Sequence, residues 1–501
     1  MEDKNKTEKI KTIPREPVVS VMGHIDHGKS TLLDYIRKKN TTEKEAGGIT
    51  QHVSAYEVEK EIGGQKRKIT FIDTPGHEAF CSIRERSTDV ADIAILVVSA
   101  EDGVKLQTIE ALNCIKKDNI PFIVAINKID RPSADIDKIK TDLAENDILV
   151  EGWGGTIPVV AISAKTGKGV HELLEMILLQ SDIEELKGDP TALAEGFVIE
   201  SSLNPREGIS ATLIIKNGSL KVGQFIASYG SYVPIRVIED YKGEKIKEAT
   251  FSSPVRIVGW SGELKVGNRF KTFLKKEEAI KFASENKTSL ETKKVQNFSD
   301  GETFGVVIKT DTFGSLDAVE HELQKLCNEK ISVKIISKGI GTITEKDLKT
   351  ANIKNSLVLG FNVKIDKNAE ILALRDNIKI KTYKIIYELV DYVKNEVIEA
   401  TPTENIEIVT GSIKLLRVFN KNKHKQVIGG RVNEGEIKIG ATVKIFRREA
   451  LLGEGKIKEL QTQKIKTDLV QEGQEFGMMV ESKIELAEGD ILKTTSIIKQ
   501  K

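Results

Sequence analysis

The stretch Gly23-His24-Ile25-Asp26-His27-Gly28-Lys29-Ser30-Thr31 constrains this chain more than any other feature. A β-branched run, Val18–Met22, leads into it, and the apolar pair Leu32-Leu33 follows it. Two glycines five positions apart, with Lys-Ser directly after the second, form a phosphate cradle between a strand and a helix. Glycine lets the backbone curl so that successive N–H groups face an anion. The helix behind the loop presents its positive end to the same anion. Lys29 suits the β- and γ-phosphates, and Ser30 offers a hydroxyl to Mg²⁺. His24 and His27 flank Asp26 and shape the loop. A bound nucleotide follows, but neither its base nor its use.

At 501 residues the chain should hold three to five domains, each with its own core. Its 76 basic and 75 acidic residues nearly cancel, so bulk charge argues neither for nor against nucleic acid. From Thr401 onward 18 basic residues face 14 acidic ones, a mild basic lean. Cys81, Cys114 and Cys327 are too far apart for a metal site or a disulfide framework. No apolar run reaches the roughly 18 residues that span a bilayer. The charged start, Met1-Glu2-Asp3-Lys4, is not signal-like, so a cytoplasmic protein without membrane contact is expected.

Residues 1–14 read as a disordered lead. Over 15–187, apolar runs at 18–22, 69–72, 93–98, 122–126 and 159–162 alternate with helical patterns. Most lack period-2 alternation, as parallel strands buried on both faces do. The fold class is therefore mixed, and this first domain is a doubly wound α/β sheet. Over 191–274, short strands punctuated by glycine suggest a β-barrel. Residues 275–300 read as a helix and linker. Strands and helices alternate again over 301–378, in a small α/β unit. Apolar residues between Tyr383 and Ala400 form a helical seam of about five turns, inside a segment taken as 379–402. The remainder, 403–501, is β-rich. Gly218-Ser219-Leu220-Lys221-Val222-Gly223 echoes Gly435-Glu436-Ile437-Lys438-Ile439-Gly440, and further turn glycines follow at Gly267 and Gly489. The echo suggests two barrels of one type.

The base is chosen elsewhere. Asp73-Thr74-Pro75-Gly76-His77 follows a strand, where α/β sheets bind ligands. Asp73 can hold Mg²⁺ through water, and the N–H of Gly76 can meet a γ-phosphate. Asn127-Lys128-Ile129-Asp130 follows the next-but-one strand. The Asp130 carboxylate can accept from guanine N1–H and the exocyclic amine, two donors that adenine lacks on that edge. Lys128 can lie over the base, Asn127 can brace the loop, and Ser163-Ala164-Lys165 can give an N–H to guanine O6. Together, at successive strand ends, these point to GTP. Between the phosphate loop and Asp73, Gly47-Gly48 precedes Thr50, whose hydroxyl suits a switch that reaches Mg²⁺ only beside a γ-phosphate. His77 is placed to orient the attacking water, since a free imidazole of pKa about 6.5 is a weak base toward water.

With these motifs the chain resembles the translational GTPases, and most closely the bacterial-type translation initiation factor 2 family. The residues that carry the likeness are the phosphate loop, Asp73 to Phe80, Ala46 to Gln51, Trp153-Gly154-Gly155, Val307 to Asp311 with Gly314-Ser315, and Leu359 to Val363. The resemblance implies a GTPase domain, a barrel, an α/β/α domain, a long linking helix and a C-terminal barrel that binds initiator tRNA. It also implies a short form without the long N-terminal extension, monomeric, working on both ribosomal subunits and not on DNA. Its activity would be to place formylmethionyl-tRNA, promote subunit joining and hydrolyse GTP on the ribosome. Lys421, Lys423, Lys425 and Arg431 would face the tRNA, and Glu475 would serve its formylmethionyl end. Family members carry Cys, a Lys-Arg pair and Cys where this chain has Gly430, Gln461-Thr462 and Phe476, positions expected around that pocket. Competing readings are an elongation-type tRNA-delivering GTPase, a GTP-using metabolic P-loop enzyme and a scaffold that binds GTP without hydrolysing it.

Overall fold

The computed structural model describes residues 12–38, 50, 53–62, 64–76, 78–204, 206–285, 302–326, 331–353, 356–400, 404–422, 424–448 and 450–500. It divides into two units, 1–397 and 398–501.

The first unit opens with a six-stranded sheet ordered 54–62, 65–73, 18–23, 93–99, 122–127 and 159–161. All neighbours are parallel except Ser54–Ile62, which runs antiparallel to Gln65–Asp73. The central strands Val18–Gly23 and Ile93–Ser99 are buried along their whole length, which explains their unbroken apolar runs. Helices cover both faces around two cores, one built on Val19, Leu32 and Leu173, the other on Met22, Leu96 and Ile115. The doubly wound reading holds. The edge strand Ser54–Ile62 was not anticipated, because Glu57, Glu59, Lys60 and Glu61 make it polar.

The lead does not stay free through residue 14. Ile13–Pro14 pair antiparallel with Lys187–Gly188. Arg15 then clamps Asp92 with both terminal guanidinium nitrogens at 2.6 Å. Lys216, from the second domain, joins the same carboxylate at 2.5 Å. The pairing holds the Asp92 carboxyl below the usual range against a burial that pushes the other way. Ser252 completes the seam, donating to the Glu16 carbonyl and accepting from Thr70 Oγ1, each at 2.6 Å.

The second domain is an antiparallel eight-stranded sheet wrapped around a core containing Val198, Leu213, Ile226, Trp260 and Phe270. The helix Lys276–Glu285 packs on its outside. The third domain is a four-stranded parallel sheet ordered 331–340, 302–310, 357–361 and 380–383. The helix Phe313–Lys325 covers one face, and Glu345–Ile353 with Lys367–Asp376 cover the other.

Here the expected boundary at 378 moves. Ile380–Tyr383 pairs with Leu357–Phe361 and belongs to the sheet. The helix begins only at Ile386 and runs to Ala400, 15 residues or about four turns. Its seam, Ile386, Leu389, Val393 and Val397, is buried in the core of the third domain. That core also takes Ala79 and Phe80 from the first domain and Ile199 and Ile214 from the second.

In the second unit the strands 404–422, 491–500, 442–447, 450–462, 475–482 and 425–438 follow one another, and the last pairs back with the first. This closes a six-stranded barrel. The sequence echo is structural. Gly223 and Gly440 both have positive φ, and their N–H groups donate to Ile235 and Ile457 carbonyls, each at 2.9 Å. Gly267 and Gly489 likewise donate back to Val198 and Leu415, at 2.7 and 3.0 Å. Equivalent turns therefore close equivalent strands in the two barrels.

Candidate functional site

The phosphate loop leaves the C-terminal end of a central buried strand, where doubly wound sheets place their ligands. Asp26 and Gly28 take left-handed backbone angles, φ 61° and 87°, so the chain curls before the helix Lys29–Arg37 begins. The loop is held from three sides. Ile25 N–H donates to Gln107 Oε1 at 3.0 Å. The Lys29 ammonium donates to the His24 carbonyl at 2.6 Å. His27 is fully buried, with Nδ1 3.3 Å from the Val97 carbonyl and its ring edge-on to His24. Burial lowers the His27 pKa to about 4, so the ring is neutral at pH 7. Burial also lowers Lys29 to about 8, with Asp73 pulling the other way. A buried ammonium held by a carbonyl and steadied by a nearby negative charge is a strong point of attachment for phosphate oxygens.

Asp73 ends its strand and is buried. Thr74 Oγ1 donates to the Val21 carbonyl at 2.8 Å, tying the next turn to the phosphate loop's own strand. Gly76 lies so close to Lys29 that a Cβ there would overlap the ammonium. Thr50 Oγ1 and Ser30 Oγ share a hydrogen bond of 2.7 Å. Two hydroxyls and one carboxylate thus gather around the loop. His77 and the stretch Lys44–Ile49 lie outside the described residues.

Reading the sequence missed Arg84. On the helix Cys81–Val90 it is buried, donating to the Pro75 carbonyl at 3.4 Å and to Glu110 at 3.0 Å. It anchors the segment that carries Gly76 to the helix Leu106–Lys117. Its only sequence signal is a lone arginine inside a helix, which normally reads as surface charge.

At the base end Asn127 is the hub. Its Nδ2 donates to the His27 carbonyl at 2.8 Å, and its Oδ1 accepts from Ala164 N–H at 2.9 Å. One buried amide therefore joins the phosphate loop to Ser163-Ala164-Lys165, and Gly28 has no Cβ to displace it. Ser163 Oγ donates to Asp130 Oδ1 at 2.7 Å, which lowers the carboxyl's pKa and leaves it exposed to solvent as an acceptor. Lys128 pairs with Asp102 at 3.1 Å. Ile129 N–H donates to the Ile162 carbonyl, at 3.3 Å. Asn127→Ala strands two buried partners, at about 1–3 kcal/mol each. Thermal unfolding should show a loss of about 2–6 kcal/mol, with nucleotide affinity falling in the same variant.

In the C-terminal barrel, register sorts the altered positions by face. Gly430 and Phe476 are cross-strand partners whose Cα–Cβ directions point inward, and Phe476 lies in the core. A Cβ at Gly430 would stand 3.1 Å from the Phe476 ring. The bulk at 476 thus fills room left at 430, on the inner side of the barrel wall. Arg417, Gly429, Gly477 and Gln461 form the rung on one side of this pair, and Lys414, Arg431 and Glu475 the rung on the other. Lys414, Arg417, Lys425, Arg431 and Glu475 are exposed, whereas the side chains of Lys421 and Lys423 lie outside the described residues. Among the described residues no cluster of three or more His, Cys, Asp or Glu could hold a metal by itself, and no helix is long and apolar enough to cross a membrane.

Three family models match the chain. They are the elongation factor Tu GTP-binding domain over residues 15–181, elongation factor G domain 2 over 193–273, and translation-initiation factor 2 over 278–394. Translation initiation factor IF-2 of Bartonella tribocorum is 41% identical over 97% of this chain, and that of Carboxydothermus hydrogenoformans is also 41% identical over 97%. This chain spans 59% and 60% of their respective lengths. A solved chain, GDP-bound aIF5B from Aeropyrum pernix, is 28% identical, with 96% of this chain and 92% of that one covered, at a TM-score of 0.49.

Proposed function

The chain belongs to the translation initiation factor IF-2 family, and we propose that it is a GTP-dependent switch that stabilises initiator formylmethionyl-tRNA on the small ribosomal subunit. It then promotes subunit joining and hydrolyses GTP on the assembled ribosome, as a cytoplasmic monomer. The observation that carries this reading is the pair of hydrogen bonds made by the Asn127 amide, which ties the phosphate loop to the loop of Ser163-Ala164-Lys165.

Asp130 accepts from the guanine edge while Ser163 fixes its rotamer. The N–H groups of residues 23–31 and the Lys29 ammonium bind the phosphates. Ser30 and Thr50, already within hydrogen-bond distance, fit Mg²⁺ as hard oxygen donors, with Asp73 acting through water. When bound, that ion neutralises charge between the β- and γ-phosphates. Water attacks the γ-phosphorus, the bond to the β–γ bridging oxygen breaks, and the water's proton ends on the released phosphate. His77 orients that water. Loss of the γ-phosphate removes the partner of Gly76 N–H and frees Thr50. In the C-terminal barrel Lys421, Lys423, Lys425 and Arg431 neutralise tRNA phosphates, and Glu475 serves the aminoacyl end.

Filter retention tests the reading. The full chain with GTP should hold formylated initiator tRNA more tightly than unformylated initiator tRNA or an elongator tRNA. Preference for elongator aminoacyl-tRNA would make it an elongation-type carrier instead, and failure to retain any tRNA would end the tRNA-binding reading.

A further inference from the structure

The C-terminal barrel contains three aromatic residues, Phe419, Phe446 and Phe476. Phe476 is in the core and Phe446 is half-buried beneath the Lys493 ammonium. Phe419 is 63% exposed. Burial by a partner would remove a side chain of this size from water at a gain of about 1.5–3 kcal/mol.

Its surroundings say which kind. A Cβ on Gly429 would stand 2.9 Å from Phe419 Cε2, so the ring rests against bare backbone that only glycine provides. Along the same rung comes Gly477, where a Cβ would meet nothing within 4 Å, and then Gln461. Two adjacent glycines on the outward face make a shallow trough, with an aromatic wall at one end and an amide at the other. Arg417 opens the rung, and Lys414 sits on the next. Neither makes an ion pair among the described residues, and both are exposed. A flat ring beside free cations fits a π-face attached to phosphates better than it fits an apolar protein surface.

We infer that Phe419 is a stacking platform for an unpaired nucleobase at the end of an RNA strand, seated over Gly429 and Gly477 with its phosphates toward Lys414 and Arg417. This rests on the tRNA-binding reading and adds a base-positioning residue to it. Stacking carries no charge and tolerates any base, so the platform holds the strand end in place, while the cations set the salt dependence.

The test uses the full chain and a short single-stranded RNA ending in 2-aminopurine, whose fluorescence is quenched by stacking. Binding should quench it. Phe419→Leu, safe for the fold because the ring is exposed, should weaken binding by at least about fivefold, the low end for one stacked base. It should also abolish the quench and leave the salt slope unchanged. Phe419→Tyr should restore the quench, and Gly429→Ala, which pushes the ring off the strand, should lose it with Phe419 intact. Lys414→Ala with Arg417→Ala should instead flatten the salt slope. RNA that binds with its 2-aminopurine bright, equally well in all variants, would overturn the platform and assign Phe419 to a protein contact, leaving tRNA binding intact. RNA that does not bind even at low salt would overturn both.

Discussion

Asp130→Asn should weaken GTP by roughly 10²–10⁴ and let xanthosine triphosphate bind in its place, on the basis of two hydrogen bonds to a charged acceptor at about 1.5–3 kcal/mol each. In the proposed role the carboxylate accepts from two guanine donors, and an amide turned toward the same edge would set its own NH₂ against the exocyclic amine. Xanthine carries an oxygen there, which accepts from the amide. The structure sharpens the expectation. Ser163 Oγ already donates to one Asp130 oxygen at 2.7 Å, so the amide oxygen of the variant keeps that bond and its nitrogen is forced toward the base. Titration with fluorescent GTP and xanthosine triphosphate analogues measures both halves. Unchanged GTP affinity would remove Asp130 from base recognition.

The same variant marks how far local sequence reaches. Residues 127–130 and 163–165 stand at ends of strands whose apolar runs are easy to read, because strands buried on both faces need Val, Ile and Ala without interruption. Ser54–Ile62 escaped because an edge strand buries one face at most, and its charged residues look like a loop. Ile380–Tyr383 escaped for another reason. Four residues cannot establish a period, and the helical seam just after them absorbed their apolar positions. The barrel face turned on parity. A shift of one position between Gly429 and Gly430 decides whether a side chain meets solvent or core, and only cross-strand register fixes that. The joint of Arg15, Asp92 and Lys216 had no local signal, since its members lie up to 201 positions apart and each alone looks like surface charge. The echo between the two barrels was legible because glycines at positive φ are demanded by backbone sterics.

His77→Ala should leave GTP binding nearly intact and slow ribosome-stimulated hydrolysis by roughly 10²–10⁴, the scale for one positioned catalytic group. His77 lies outside the described residues, but the segments around it are fixed. On one side Gly76 leaves no room for a Cβ beside the Lys29 ammonium, and Arg84 donates to the Pro75 carbonyl at 3.4 Å. On the other, Ala79 and Phe80 are fully buried in a core shared with Ile199, Phe313 and Leu316. Arg86, between Phe80 and Val90 of that core, pairs with Asp317 of the third domain at 2.7 Å. Gly76→Ala supplies the contrast. Its methyl group would displace Lys29, so it should reduce GTP affinity itself, whereas His77→Ala should lower turnover alone. Single-turnover hydrolysis on ribosomes, read beside equilibrium GTP binding, separates the two effects. Wild-type turnover in His77→Ala would make the histidine structural and hand the positioning of water to another group.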